Sequence, residues 1–223
     1  MQGRIFLIGG SKGGVGKSIV ATALIDMMRQ RSQPLIVIDS DTSNPDVYKC
    51  HKDVLDCHTL DLDRKDGWIA LLNIVHSTDA DVVINSAARN NTGVASFGTL
   101  LMDALPDLGR ELVTFWVINR QRDSLELLKQ YRSTIRGEVH VVRNLHAGEA
   151  DKFELFNTSK LRLDLETSGG KVLDFPDLAD RVADVLMNKR IAIAEAGENL
   201  TFGERIELQR WRKAIHTELQ KAA

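Results

Sequence analysis

Short apolar runs recur along the chain, each followed by polar residues and then by apolar positions at helical spacing. The runs at 5–8, 35–38, 81–85, 112–118 and 139–142 predict buried strands. Val20, Leu24, Met27 and Met28 predict a helix over 19–30, broken at Gln33-Pro34. Trp68, Leu71, Leu72 and Val75 predict a second over 68–76. A third, over 97–105, is expected to stop at Pro106, and Leu125, Leu128 and Ile135 mark a fourth. Residues 42–63 are less regular, with Leu60-Asp61-Leu62 as a short strand. A helix over 153–165 is broken at Gly169-Gly170, and Val172-Leu173 forms a short strand. Leu178, Val182, Val185 and Leu186 fit one more helix, and a last, over 204–220, carries Leu208, Trp211, Ile215 and Leu219. Strand, helix, strand within about forty residues is a right-handed βαβ unit. Repeated along the chain, it predicts a doubly wound α/β fold, a mostly parallel sheet with helices on both faces.

Composition narrows this picture only slightly. With 223 residues and no linker rich in Pro, Gly or Ser, a single domain over 1–223 is expected, its part from 190 to 223 helical. A formal charge of −2 argues against a bulk nucleic-acid coat. No apolar run approaches the roughly 20 residues that span a bilayer, and no charged-then-apolar leader precedes the first strand, so a cytoplasmic protein is expected. Two cysteines do not make a disulfide framework. Cys50-His51 and Cys57-His58 do not match a usual zinc spacing.

The chemistry starts between the first strand and the first helix, in I-G-G-S-K-G-G-V-G-K-S over 8–18. A glycine-rich loop there is a phosphate cradle. Gly13, Gly14 and Gly16 have no Cβ, so their N–H groups can approach phosphate oxygens, and the helix adds its positive dipole end. Lys17 would reach the β- and γ-phosphates, and the Ser18 hydroxyl would ligate Mg²⁺. Ser11, Lys12, Val15 and Ile19 complete the expected nucleotide contacts. Ser11 stands where the usual pattern has its first glycine.

The string K-G-G-V-G-K-S resembles the deviant Walker A signature of the ParA/MinD family of dimeric ATPases. That resemblance implies ATP and Mg²⁺ as ligands, a homodimer in the ATP state, and a role for Lys12 across the dimer, at the partner's nucleotide. Asp39 and Asp41 end the second strand. Two carboxylates beside phosphates can hold metal-bound waters and orient an attacking water. The family's D-x-D motif points the same way, with Asp39 near the metal and Asp41 near the water; the alternative is a pair of loop-capping aspartates. Asn85 departs from the family. It sits where the Walker B strand ordinarily ends in aspartate, and Ala87 sits where proline is usual. An amide can bond a metal-bound water but brings no charge, so slow hydrolysis is expected. Ser86 and Arg89 fall in the loop that would sense the γ-phosphate.

Asn119, ending the strand V-I-N, can donate to and accept from adenine's edge, and the resemblance supports it as the adenine reader beside Arg120. Phe175, Pro176 and Asp177 would line the base's other side. Absence of an N-K-x-D string argues against GTP. The last helix sets its apolar stripe beside Arg205, Arg210, Arg212 and Lys213. It can pack on the sheet or a partner, form a DNA-binding patch with Lys189 and Arg190, or lie on a membrane; Glu204, Glu207 and Glu218 weaken the membrane reading most.

Together these imply an ATP-switched dimer that positions a cargo. Thr42-Ser43-Asn44-Pro45-Asp46 is similar to plasmid-encoded StbB-like proteins, which implies plasmid DNA in partition or conjugation and a DNA-binding adaptor as partner. The early loop leads us to expect no DNA-binding N-terminal extension. Two alternatives stay open: an ATP-dependent metabolic enzyme on the same fold, and a nucleotide-binding scaffold that hydrolyses little. An iron–sulfur carrier lacks its C-x-x-C, and a tyrosine kinase its tyrosine cluster, since Tyr48 and Tyr131 are the only tyrosines.

Overall fold

Four continuous apolar runs become the centre of a parallel sheet, because only strands covered on both faces tolerate apolar residues at every position. The computed structural model describes residues 2–10, 13–32, 34–88 and 91–223. Among them, β1 (Ile5–Gly10), β2 (Leu35–Asp39), β3 (Asp56–Thr59), β4 (Asp81–Asn85), β5 (Leu112–Ile118), β6 (Glu138–Asn144) and β7 (Val172–Phe175) form one sheet. Its order is β3-β2-β4-β1-β5-β6-β7, and every pairing is parallel. The doubly wound α/β fold expected from the sequence is therefore present.

Side chains alternate across each strand, so the sheet divides the core in two. Phe6, Ile8, Val37, Val83 and Phe115 face a cluster with α1 (Lys17–Gln30), α8 (Asp180–Lys189) and α9 (Phe202–Leu219). Ile5, Leu7, Ile84 and Trp116 face the other, with α3 (Lys65–His76), α4 (Asn91–Leu108), α5 (Arg122–Thr134) and α7 (Lys160–Thr167). Ile8 pairs with Asn85 and Asn85 with Asp39, so the carboxyl ends of β1, β2 and β4 meet at one edge.

Three local expectations need correction. Pro106 does not stop α4, which runs on to Leu108 and ends at Gly109 with φ 60°. Pro106 forfeits one helical N–H bond, and burial of Leu101 and Leu108 on the same helix offsets that loss. Leu60-Asp61-Leu62 is not a strand; the pairing segment is Asp56–Thr59 just before it. Leu62 instead tucks under Trp68, whose Nε1 donates to its carbonyl at 2.8 Å. The helix expected over 153–165 is two pieces, α6 (Glu154–Asn157) and α7, because the Ser159 hydroxyl accepts from Arg162 N at 3.1 Å and starts a new helix. The first helix ends at Gln30, as expected; Pro34 follows it, and Gln33 lies outside the described residues. One short helix, α2 (Asp46–His51), had no apolar signal beyond Val47.

Candidate functional site

β1 runs out in Gly9-Gly10, and α1 begins at Lys17, so the chain must reverse within a few residues. Gly14 and Gly16 do this with φ of 78° and 99°. Gly16 has a second reason: a Cβ there would overlap Nδ2 of Asn144. That Nδ2 donates to the Val15 carbonyl at 2.9 Å, so the last residue of β6 braces the loop from the side. Lys17 is 7% exposed. Burial lowers its pKa to about 8, against a smaller upward pull from Asp41.

A cleft of about 350 Å³ opens over this loop, at the carboxyl edge of the sheet. Its phosphate end is lined by Gly13, Gly14, Gly16, Lys17, Ser18 and Ile19, with Asp41, Asn85, Ser86 and Ala88 opposite. Its far end is lined by Asn144 and His146, by Phe175, Pro176, Asp177 and Leu178, and by Asp180, Ala183 and Met187 of α8. The two loops of the far end meet where His146 Nδ1 lies 3.0 Å from Asp177 Oδ1. A larger hollow, about 810 Å³ around Met102, Pro106, Arg110 and Arg136, lies at the amino ends of the strands, away from the glycine loop. Ligands of doubly wound sheets sit at the carboxyl ends, so the smaller cleft is the candidate site.

Residues 6–152 match the model of the CobQ/CobB/MinD/ParA nucleotide binding domain. The chain belongs to that family. Protein MobD of Acidithiobacillus ferrooxidans is 54% identical over 214 residues, 95% of this chain and 94% of that protein. Among solved structures, the MinD cell division protein of Aquifex aeolicus matches with a TM-score of 0.56 at 11% identity, covering 95% of this chain and 96% of that one. The MinC:MinD complex of the same organism matches at 0.51 and 12% identity, covering 96% of each chain. At such identities the two structures attest the fold alone.

Within this CobQ/CobB/MinD/ParA domain, the two aspartates after β2 do different things. Asp41 lines the cleft. Asp39, expected near the metal, does not: it is 0% exposed and bonded to Asn85, which does line the cleft. Its Oδ1 accepts from Asn85 Nδ2 (2.9 Å) and Asp41 N (3.2 Å), and its Oδ2 from Tyr48 N (3.1 Å). The last bond caps α2, so a capping role is real for Asp39. Burial raises its pKa, with these hydrogen bonds pulling the other way. Ser40, which sequence reasoning passed over, ties the ends of β2 and β4. Its Oγ donates to the Asn85 carbonyl at 3.0 Å and accepts from Ala87 N at 2.9 Å.

Asn85 is 2% exposed and lines the cleft, and its Oδ1 has no hydrogen-bond partner among the described residues. A buried acceptor left unpaired costs about 1–3 kcal/mol. With the Ser18 hydroxyl and the Asp41 carboxylate it makes a set of hard oxygen donors, the kind Mg²⁺ takes directly or through its waters. The residues present therefore fit that ion.

The expectation that Asn119 and Arg120 read the base is not met by the geometry. Asn119 Oδ1 accepts from Ser124 Oγ (2.8 Å) and Gln121 N (3.0 Å) at the start of α5, and neither residue lines the cleft. β5 lies next to β1, one strand short of the far end; the strand-end carboxamide that reaches the cleft is Asn144, on β6. Its signal was there in V-V-R-N, identical in kind to V-I-N-R, but ranking the two requires the sheet order. Expectations for Ser11, Lys12 and Arg89 lie outside the described residues.

Away from the cleft, the apolar stripe of α9 is buried against the sheet and α1. Arg210 pairs with Glu207, Arg212 with Asp26 and Arg190 with Asp46, and Lys189 Nζ donates to Asn199 Oδ1. Among the described residues, no helix is long and apolar enough to cross a membrane. Cys50 and Cys57 are free thiols, His51 Nδ1 lies 2.9 Å from the Val47 carbonyl and His58 pairs with Asp56.

Proposed function

We propose that this chain binds ATP with Mg²⁺, dimerises in that state and hydrolyses ATP slowly, and that this cycle positions a cargo, plasmid DNA during partition or conjugation. The observation that carries the reading is the cleft itself: a glycine cradle with a buried, partly neutralised lysine at one end, and a half-apolar wall spaced for a base at the other. Lys17 and the N–H groups of the loop hold the β- and γ-phosphates. Mg²⁺ held by Ser18, Asp41 and, through a water, Asn85 would neutralise phosphate charge. Asp41 orients the attacking water. At the far end Asn144 keeps one amide hydrogen beyond that given to Val15, enough to meet a purine ring nitrogen, while the 175–178 loop closes on the base's other side. The close relation to Protein MobD and the D-T-S-N-P-D run support a plasmid setting, with a DNA-binding adaptor as partner. The apolar stripe of α9 is buried in the core, which leaves its outer, charged face for direct DNA or membrane contact.

Sedimentation with a non-hydrolysable ATP analogue and Mg²⁺ tests it. Wild type is expected to dimerise, and Lys17→Ala to bind no nucleotide and stay monomeric. A wild type that binds ATP yet stays monomeric in every nucleotide state removes the switch.

A second reading has its own observation. Asn85 leaves the Walker B position uncharged, which favours a nucleotide-holding scaffold with little turnover. Phosphate release measured with and without DNA separates the two: a rate that no partner raises favours the scaffold.

A further inference from the structure

The base-side loop and the phosphate-side helix belong to opposite ends of the cleft, yet adjacent residues of α9 hold both. Trp211, 1% exposed, donates Nε1–H to the Pro176 carbonyl at 2.9 Å. Its ring meets Phe175 edge-on, with centroids 5.6 Å apart and planes at 77°. Phe175 and Pro176 both line the base end. Arg212, the next residue, points about 100° further round the helix and grips Asp26 of α1 with both Nε and Nη2 at 2.8 Å. Asp26 is almost fully buried and also lies 3.0 Å from His216 Nε2. α1 is the helix that begins at Lys17, so Asp26 reports the position of the cradle. One turn of α9 thus spans the site from behind.

We infer that Trp211 and Arg212 are positioning residues that set the distance between the base loop and the phosphate cradle, and so determine how well the site tells adenine from guanine. This rests on the proposed ATP site. Reading a purine edge needs donors and acceptors held within tenths of an ångström. Pro176 has no N–H, so its carbonyl is the one backbone handle it offers, and Trp211 holds it. Arg212 contributes through its planar fork, which a lysine cannot reproduce. Phosphates need less of this device, because the loop's own N–H groups surround them.

The experiment compares binding of ATP, GTP and inorganic tripolyphosphate, each with Mg²⁺, by calorimetry in wild type, Trp211→Phe and Arg212→Lys. Trp211→Phe keeps an aromatic ring and removes the N–H; Arg212→Lys keeps the charge and removes the fork. Each is expected to weaken ATP about three- to tenfold, to lower the ATP:GTP preference by a similar factor, and to leave tripolyphosphate unchanged. The double variant should lose less than the product of the single losses, since both act through one span. An unchanged ATP:GTP ratio overturns the inference, and so does an equal loss for all three ligands, the mark of a merely structural helix. If Trp211→Phe does not fold, Arg212→Lys decides by the same ratios. A wild type that binds none of the three, or binds ATP and GTP alike, overturns the ATP site itself, and this inference with it.

Discussion

With Lys17 at the phosphates, as proposed, ATP binding should depend on pH in a window where an ordinary lysine would give no dependence. In the free protein its ammonium is buried, which moves its pKa from 10.5 to about 8. Bound phosphates restore the proton's advantage, because opposite charge nearby favours the ammonium. ATP therefore binds the protonated form, and above pH 8 the free protein must first take up a proton. Affinity falls by the fraction of Lys17 left charged: little below pH 7.5, about twofold at pH 8 and about tenfold at pH 9. Other perturbed groups stay clear of this window. Burial pushes His51, His140 and His216 down from 6.5, and the Cys50 and Cys57 thiols up to about 11 and 12. Phosphate's own second ionisation, near pH 6, is complete below it.

Calorimetry in two buffers of different ionisation enthalpy measures both quantities, and the uptake expected at pH 8 is about half a proton per ATP. Lys17→Arg stays charged throughout, so its profile should be flat while contributions from any other group persist. An ATP affinity constant across pH 7–9, with no proton uptake, refutes the buried, partly neutral lysine. The same shift acts on stability with a definite sign. The folded pKa lies below the unfolded one, so the unfolded chain binds more protons between pH 8 and 10.5. Apo stability should gain up to about 3 kcal/mol from this group as pH rises through that window, and the full penalty is present below pH 8.

Gly16→Ala is expected to cost about 1–3 kcal/mol of stability in denaturant titration, and to abolish nucleotide binding, because φ 99° and the Asn144 amide both exclude a Cβ. Asn85→Asp sets a second carboxylate against Asp39 and removes a buried donor; apo stability should fall by about 1–3 kcal/mol, Mg²⁺ with ATP should recover it, and phosphate release should become more steeply Mg²⁺-dependent. Lys12→Ala should bind ATP as wild type does but remain monomeric in sedimentation with a non-hydrolysable analogue; a dimer as strong as wild type's ends the trans-acting role for Lys12.

What the sequence disclosed followed from how local each signal was. Strands β1, β2, β4 and β5 were legible because burial on both faces leaves no room for polar residues. β3 was not: as the edge of the sheet, Asp56-Cys57-His58-Thr59 needs no apolar face, and the nearby Leu60-Asp61-Leu62 alternates by accident of one turn. The cradle was legible because its glycines, Lys17 and Ser18 are contiguous. The base end was only half legible. Phe175, Pro176 and Asp177 were found from their place after a strand. Asn144 and His146 come from one segment and Asp180, Ala183 and Met187 from another, which only the order β1-β5-β6-β7 brings to one wall. Asn119 and Asn144 have the same local appearance, and the choice between them is topological.

Asn85 shows how a local reading can be correct in residue and incomplete in physics. Along the chain it looks like a lost charge. Across the sheet it stands in register with Asp39, which is buried and bonded to its amide nitrogen. The carboxylate is thus one strand away, capping α2 and fixing which way the amide faces. With the nitrogen turned to Asp39, the Asn85 oxygen has to face away, and there it lacks a donor among the described residues. On the proposed reading, a water carried in with a metal ion and nucleotide would supply one, and binding would then relieve the cost of the unpaired oxygen. Asp39 adds charge at second hand, too far back to replace a direct acidic ligand. On the proposed reading, such a site would gain from holding its nucleotide and would have little with which to speed cleavage. A long-lived loaded state with slow turnover is what a dimer switch needs, and what a fast ATPase would not keep.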